Sequence, residues 1–167
     1  MKKLLACLER LDNTPRTKGY RKMFDEVKQA IRKHYGWDVK KVKLKISNVP
    51  VNRDGTPNKR IPPIEYAGSY VVKGRYITLA DREHLELVKK HYKLKSFTLD
   101  QFIKFIMTHE LSHYVYEEVA TEAERDEILE AVEVESFTTV YLDSYEDPPN
   151  DEKFCEYVAM TLHNAIK

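Results

Sequence analysis

Residues 98–119, TLDQFIKFIMTHELSHYVYEEV, constrain this chain more than any other segment. Phe102, Ile103, Phe105, Ile106, Met107 and Leu111 fall on several sides of a 3.6-residue repeat. The pattern predicts a helix buried nearly all round, at the centre of whatever the chain folds into. Thr98 followed by Gln101 gives it a capping-box start. His109, Glu110 and His113 nevertheless sit inside the apolar run. Burying two imidazoles beside a carboxylate is costly unless each finds a partner. The rest of the chain must therefore supply hydrogen bonds, or the site must take a metal.

Residues four apart stack on one helix face, so His109 and His113 can offer two ring nitrogens to one ion. Zinc is the usual occupant of this H-E-x-x-H spacing. Glu110 then lies within reach of a water activated by the metal, placed to act as general base and to pass the proton to a leaving amine. The competing reading is a core helix whose histidines are merely hydrogen-bonded.

Two histidines do not hold a catalytic zinc. In a chain of the H-E-x-x-H-x-x-G-x-x-H type, positions 116 and 119 would be Gly and His. Here they are Tyr116 and Val119, which excludes that class. The segment NDEKFCEYVAMTLH near the end is the best source of a third ligand. It reads as a helix over 151–166 with Phe154, Val158, Leu162 and Ile166 facing inward. Glu152 and Glu156 are four apart on another face, with the small residues Cys155 and Ala159 allowing close helix approach. Glu152 is the expected third ligand. Glu156 is the expected carboxylate behind a ligating histidine, accepting the proton of its far nitrogen. Glu156 itself, Glu117, Glu118, Glu122, Asp126, Glu135 and His163 stand as alternative ligands.

The remaining elements are legible in outline. Residues 20–36 read as an amphipathic helix stopped by Gly36. Residues 38–49 alternate as a strand, with Lys residues on the wet side of Val42, Leu44 and Ile46. The four prolines of 50–67 make a long irregular loop. Residues 68–80 read as two short strands around Lys73–Gly74, and 81–95 as a short helix or connection. Thr121 and Glu124 form a second capping box, opening a long acidic helix marked on one face by Ala131, Val134, Thr138 and Tyr141. The order predicts an α+β fold: a small mixed or antiparallel sheet packed on the H-E-x-x-H helix, then a helical C-terminal half.

Composition narrows the function classes. A chain of 167 residues suits one domain, 1–167. A net charge of +1 gives no electrostatic case for nucleic acid. Two isolated cysteines, Cys7 and Cys155, make no disulfide framework. Cys155, flanked by apolar residues, reads as packing. The N-terminal arm, 1–19, opens with an apolar run too short for a signal h-region, and reads as an amphipathic helix with Leu4, Leu8 and Leu11 on one face. The expectation is a cytoplasmic protein with no membrane partner, export by a non-classical route remaining open. Oligomeric state is not readable.

H-E-L-S-H followed by a separate Glu-x-x-x-Glu helix resembles the gluzincin metallopeptidases. In the thermolysin-like form the third ligand opens an Asn-Glu-x-x-x-Asp pattern. Here Asn150-Asp151-Glu152 reads with Asp151 as an insertion. The segment E-K-F-C-E-Y-V is closer to the E-F-F-A-E-A-F of the lethal-factor-like and Pro-Pro-endopeptidase-like group. It is similar too to the E-x-x-A-x-x-F-A spacing of phage-regulator metallopeptidase domains, through Glu152, Cys155, Val158 and Ala159.

The resemblance implies a minimal zincin-like domain and zinc-dependent hydrolysis of a protein or peptide. It implies that the strand before the active helix pairs with substrate, here through Tyr70, Val71 and Val72. It also implies a tyrosine donor to the oxyanion shortly before the glutamate helix, a place held by Tyr145. The alternative is a catalytically silent zincin fold serving as a protein-binding or regulatory module.

Overall fold

The computed structural model describes residues 14–135 and 147–166. Helix α1, Tyr20–Tyr35, buries Tyr20, Met23, Phe24, Val27 and Ile31 at helical spacing. It stops where Gly36 takes a left-handed conformation, φ 78°, whose amide caps Arg32 O. A three-stranded mixed sheet follows, made of β1 (Lys43–Ile46), β2 (Gly68–Val71) and β3 (Tyr76–Leu79). The order is β1-β3-β2, with β1 parallel and β2 antiparallel to the central β3. The architecture is α+β, as the element order predicts.

The first strand is shorter than the 38–49 expected from alternation. Asp38 Oδ1 accepts the Lys40 amide at 3.0 Å, and Val42 N–H reaches back to Val39 O at 3.2 Å. This local turn diverts the chain until Lys43. Val39 and Val42 are still buried, so the apolar positions were selected for the core and not for a ladder. The 50–67 loop is irregular, with a Val51–Pro57 bridge and a short 3₁₀ turn at Pro63–Glu65.

Helix α2, Arg82–His91, is capped by Asp81, whose Oδ1 accepts the His84 amide at 2.9 Å. Helix α3, Leu99–Tyr114, is the element the rest is built on. Its capping box is complete: Thr98 Oγ1 accepts from Gln101 N–H at 3.2 Å, and Gln101 Oε1 accepts from Thr98 N–H at 2.9 Å. Every residue from Phe105 to Tyr114 is buried. The helix relaxes into a π turn, Val115–Val119. Helix α4, Glu122–Val134, opens with the second capping box. It is shorter than the face drawn through Ala131, Val134, Thr138 and Tyr141: Glu135 is extended, and Val134 is 86% exposed. Ile128 is the position of α4 that is buried, while Thr138 and Tyr141 lie outside the described residues.

Helix α5, Asn150–Ile166, packs along α3. Phe154, Val158 and Leu162 face the core, and so do Cys155, Glu156 and Ala159. Two faces of the helix are thus covered. The small residues Cys155 and Ala159 sit where α5 meets α3, so backbones can approach and bring the acidic positions within reach of the histidines. Residues 1–13, including the proposed face Leu4, Leu8 and Leu11, lie outside the described residues, as does the Ile166 side chain. Among the described residues no helix is long and apolar enough to cross a membrane.

Candidate metal centre

His109, Glu110 and His113 project from the buried middle of α3, each less than a tenth exposed. Thr108 and Ser112, polar residues of the same stretch, satisfy their hydroxyls on Lys104 O at 2.8 Å and Thr108 O at 2.7 Å. The imidazoles have no such local solution, because their nitrogens point away from the helix. They meet α5 instead. His109 Nε2 lies 3.2 Å from Glu152 Oε2, and His113 Nε2 lies 3.4 Å from Glu152 Oε1. Ligand atoms of these three residues all fall within 4.8 Å of one another.

The outward nitrogens are also faced by carboxylates. His109 Nδ1 is 3.3 Å from Glu156 Oε2, with Glu156 fully buried. His113 Nδ1 is 3.5 Å from Asp151 Oδ2. A carboxylate behind each ring favours the tautomer with hydrogen on Nδ1 and a lone pair on Nε2. Both lone pairs then converge on the point that Glu152 also addresses. Zinc–ligand distances of about 2.0–2.1 Å place neighbouring corners of a tetrahedron roughly 3.3–3.4 Å apart. The two Nε2–Oε separations, 3.2 and 3.4 Å, are close to that edge but run to different oxygens of Glu152, and the ligand atoms of the three residues lie within 4.8 Å of one another. His109, His113 and Glu152 form a group that could hold a metal, and the nitrogen, nitrogen, oxygen donor set suits zinc.

Burial works against a charged His109, but hydrogen bonding to Glu152 and Glu156 outweighs it and lifts its pKa well above the ordinary value. His113 is lifted in the same way, burial being outweighed by Cys155, Asp151 and Glu152. Burial pushes the Glu152 carboxyl up, yet the two histidines hold it well below the carboxylate range. The His113 contact brings Asp151 to about 2, with Arg53 adding to the effect. Glu110 moves the other way: burial raises it against the pull of both histidines.

Glu110 lines a cleft of about 440 Å³ together with His109, His113, Glu152, Gly68 and Tyr70. Gly68 makes the close approach possible. A Cβ there would stand 2.7 Å from Thr78 O, 3.1 Å from Ile106 Cγ2 and 3.3 Å from Glu110 Cγ. The Ala67 carbonyl accepts the Ala80 amide at 2.9 Å, so residues 67, 69 and 71 turn their backbone groups toward β3. Those of Gly68 and Tyr70 point away from it, along the outer edge of β2. The Tyr70 side chain is buried against Tyr114, and its hydroxyl makes no hydrogen bond among the described residues. Val71 is fully buried and does not line the cleft. Val72 lies beyond the strand, with its amide donated to Arg53 O at 2.9 Å.

Of the alternative third ligands, Glu156 sits behind His109, Glu117 pairs with Arg53 and Glu118 with Arg75. His163 packs on Phe97, Glu135 accepts from the Tyr157 hydroxyl, and Glu122 and Asp126 are exposed. Tyr145 lies outside the described residues. Cys155 is buried on α5 between Glu152 and Glu156, and burial pushes its thiol up. Two residues of the centre escaped the sequence reading. Asp151 was hidden by its adjacency to Glu152. Arg53, from the proline-rich loop, reaches Asp151 at 2.5 Å and Glu117 at 2.9 Å. Compared with family models, curated proteins and solved structures, the chain matches none of them.

Proposed function

We propose that this protein is a zinc metallopeptidase of the gluzincin type, with a minimal zincin-like fold. The observation that carries the reading is the convergence of His109 Nε2, His113 Nε2 and Glu152 on one point, with Glu110 beside it at the wall of a cleft. A bound zinc would supply a Lewis acid that polarises a carbonyl and acidifies water.

The chain's own residues do the rest. The outward N–H and C=O groups of Gly68 and Tyr70 offer an extended peptide two residues of antiparallel pairing. Glu110, buried and raised in pKa, takes a proton from the attacking water as the new C–O bond forms. It returns that proton to the amine nitrogen as the C–N bond breaks.

The test is Glu110→Gln. The amide keeps the size and cannot act as a base. Zinc content should match wild type, while cleavage of a peptide library should fall by at least about 100-fold. Cleavage at the wild-type rate would sink the mechanism. Zinc binding with no cleavage in the wild type as well would favour a silent zincin fold that binds a protein partner.

A further inference from the structure

The 50–67 loop is anchored at the metal-centre side of the sheet. Ser69 donates its hydroxyl to Val51 O at 2.9 Å, and the Val72 amide donates to Arg53 O at 2.9 Å. The loop closes on itself through Asn52 N–H to Thr56 O at 2.8 Å and Asn58 N–H to Pro50 O at 2.7 Å. The backbone of Arg53 is therefore fixed, and its guanidinium spans from the sheet edge to the helices. Nη1 donates to Glu117 Oε1 at 2.9 Å, at the end of α3. Nη2 donates to Asp151 Oδ2 at 2.5 Å, at the start of α5. The same Asp151 oxygen faces His113 Nδ1 at 3.5 Å, and Arg53 Nη2 lies 3.5 Å from that nitrogen as well.

We infer that Arg53 is a positioning residue for the metal centre, a reading that rests on His113 being a ligand. The planar guanidinium is itself held at two points, Nη1 on Glu117 and Nη2 on Asp151, so the one donor it offers Asp151 has a fixed direction. Asp151 held by that Nη2 donor presents its oxygen to His113 Nδ1. The ring is thereby turned with Nε2 toward Glu152. Without Arg53, Asp151 in the first turn of α5 is free to rotate into solvent. Arg53 is half exposed, with 52% of its side-chain surface accessible, so its ion pairs add little to fold stability. Its effect falls on the orientation of His113.

Electrostatics alone makes the opposite forecast, which gives the test a sign. Removing a positive charge near a divalent cation should tighten its binding. Loss of positioning should weaken it. Zinc affinity is measured by competition with a chromophoric chelator for wild type, R53Q, R53K, D151N and the R53Q/D151N double variant. Wild type should bind one zinc per chain. R53Q should bind about tenfold more weakly, at the low end of the range for groups behind a ligating histidine. R53K, which keeps the charge and loses the two-point hold, should recover part of the difference.

Because Arg53 acts through Asp151, adding R53Q to D151N should cost no further affinity. The visible spectrum of the cobalt(II)-loaded protein should change in R53Q, while metal-free R53Q should melt within a few degrees of wild type. Equal or tighter zinc binding by R53Q, or additive losses in the double variant, would overturn the role of Arg53 with the metal centre intact. Absence of zinc binding by wild type would overturn the metal centre itself.

Discussion

Gly68→Ala should destabilise the protein and slow cleavage, though alanine is the better strand residue. The new Cβ would sit 2.7 Å from Thr78 O, a backbone atom held by β3, where an ordinary C···O approach is roughly 3.3 Å or more. It would also meet Ile106 Cγ2 at 3.1 Å and Glu110 Cγ at 3.3 Å, both on the buried helix α3. None of the three is the free end of a surface side chain, so β2 must recede by about half an ångström. Overpacking of this kind costs about 1–3 kcal/mol. Against it stands a gain of about 0.4–1 kcal/mol from restricting the unfolded chain. The net loss is roughly 1–2 kcal/mol, which for a chain of this size is a fall in Tm of about 2–8 °C. Denaturation of metal-free protein measures the loss. Peptide cleavage should fall further than zinc affinity does, because the methyl crowds Glu110 and none of the ligands. Gly68→Ala protein as stable as wild type, with unaltered cleavage, would refute the close approach of strand and helix.

Tyr70→Phe should leave the metal-free protein at least as stable as wild type, and on the order of 1 kcal/mol more stable. It removes a buried hydroxyl that has no partner among the described residues. A clear loss of stability in urea denaturation would mean that the hydroxyl is satisfied internally.

The metal-free protein should also show a pH dependence of opposite sign on its two flanks. His109 and His113 titrate higher folded than unfolded, so their contribution is complete below about the ordinary 6.5 and fades as pH climbs through the raised values. Asp151 and Glu152 titrate lower folded than unfolded. Their contribution is present above about 4 and fades as pH falls, for Asp151 through about 2. Urea denaturation of the metal-free protein across this range checks both flanks, and stability that rises steadily from pH 6 to pH 9 would contradict the histidine assignment. Added zinc, which needs neutral imidazoles, should stabilise more at the higher pH.

What the sequence made legible was whatever has a local period or a local partner. The capping boxes at Thr98 and Thr121, the Gly36 stop, the hairpin about Lys73–Gly74 and the apolar faces of α1 and α5 are all short-range patterns. So is the four-residue spacing that puts His109 and His113 on one face. Lys43–Ile46 came out shorter than its alternation because an Asp38 turn competes with the ladder, and alternation reports burial in either case. Arg53 had no such signal. It meets Asp151 across 98 positions of sequence, and nothing in its neighbourhood marks it out from the other cations of the loop. Asp151 reads from sequence as an ordinary first-turn acid, and its oxygen is given its role only by the docking of α5 on α3.

Zinc-dependent melting of the chelator-treated protein shows whether His109, His113 and Glu152 together bind one zinc ion. Zinc at 1,000 times its Kd adds about 4 kcal/mol, or a rise in Tm of about 8–16 °C for this chain length. That rise should appear at one zinc per chain in wild type and be lost in His113→Ala and Glu152→Ala. A wild-type Tm unmoved by zinc, or an undiminished rise in both variants, would contradict that ligand set.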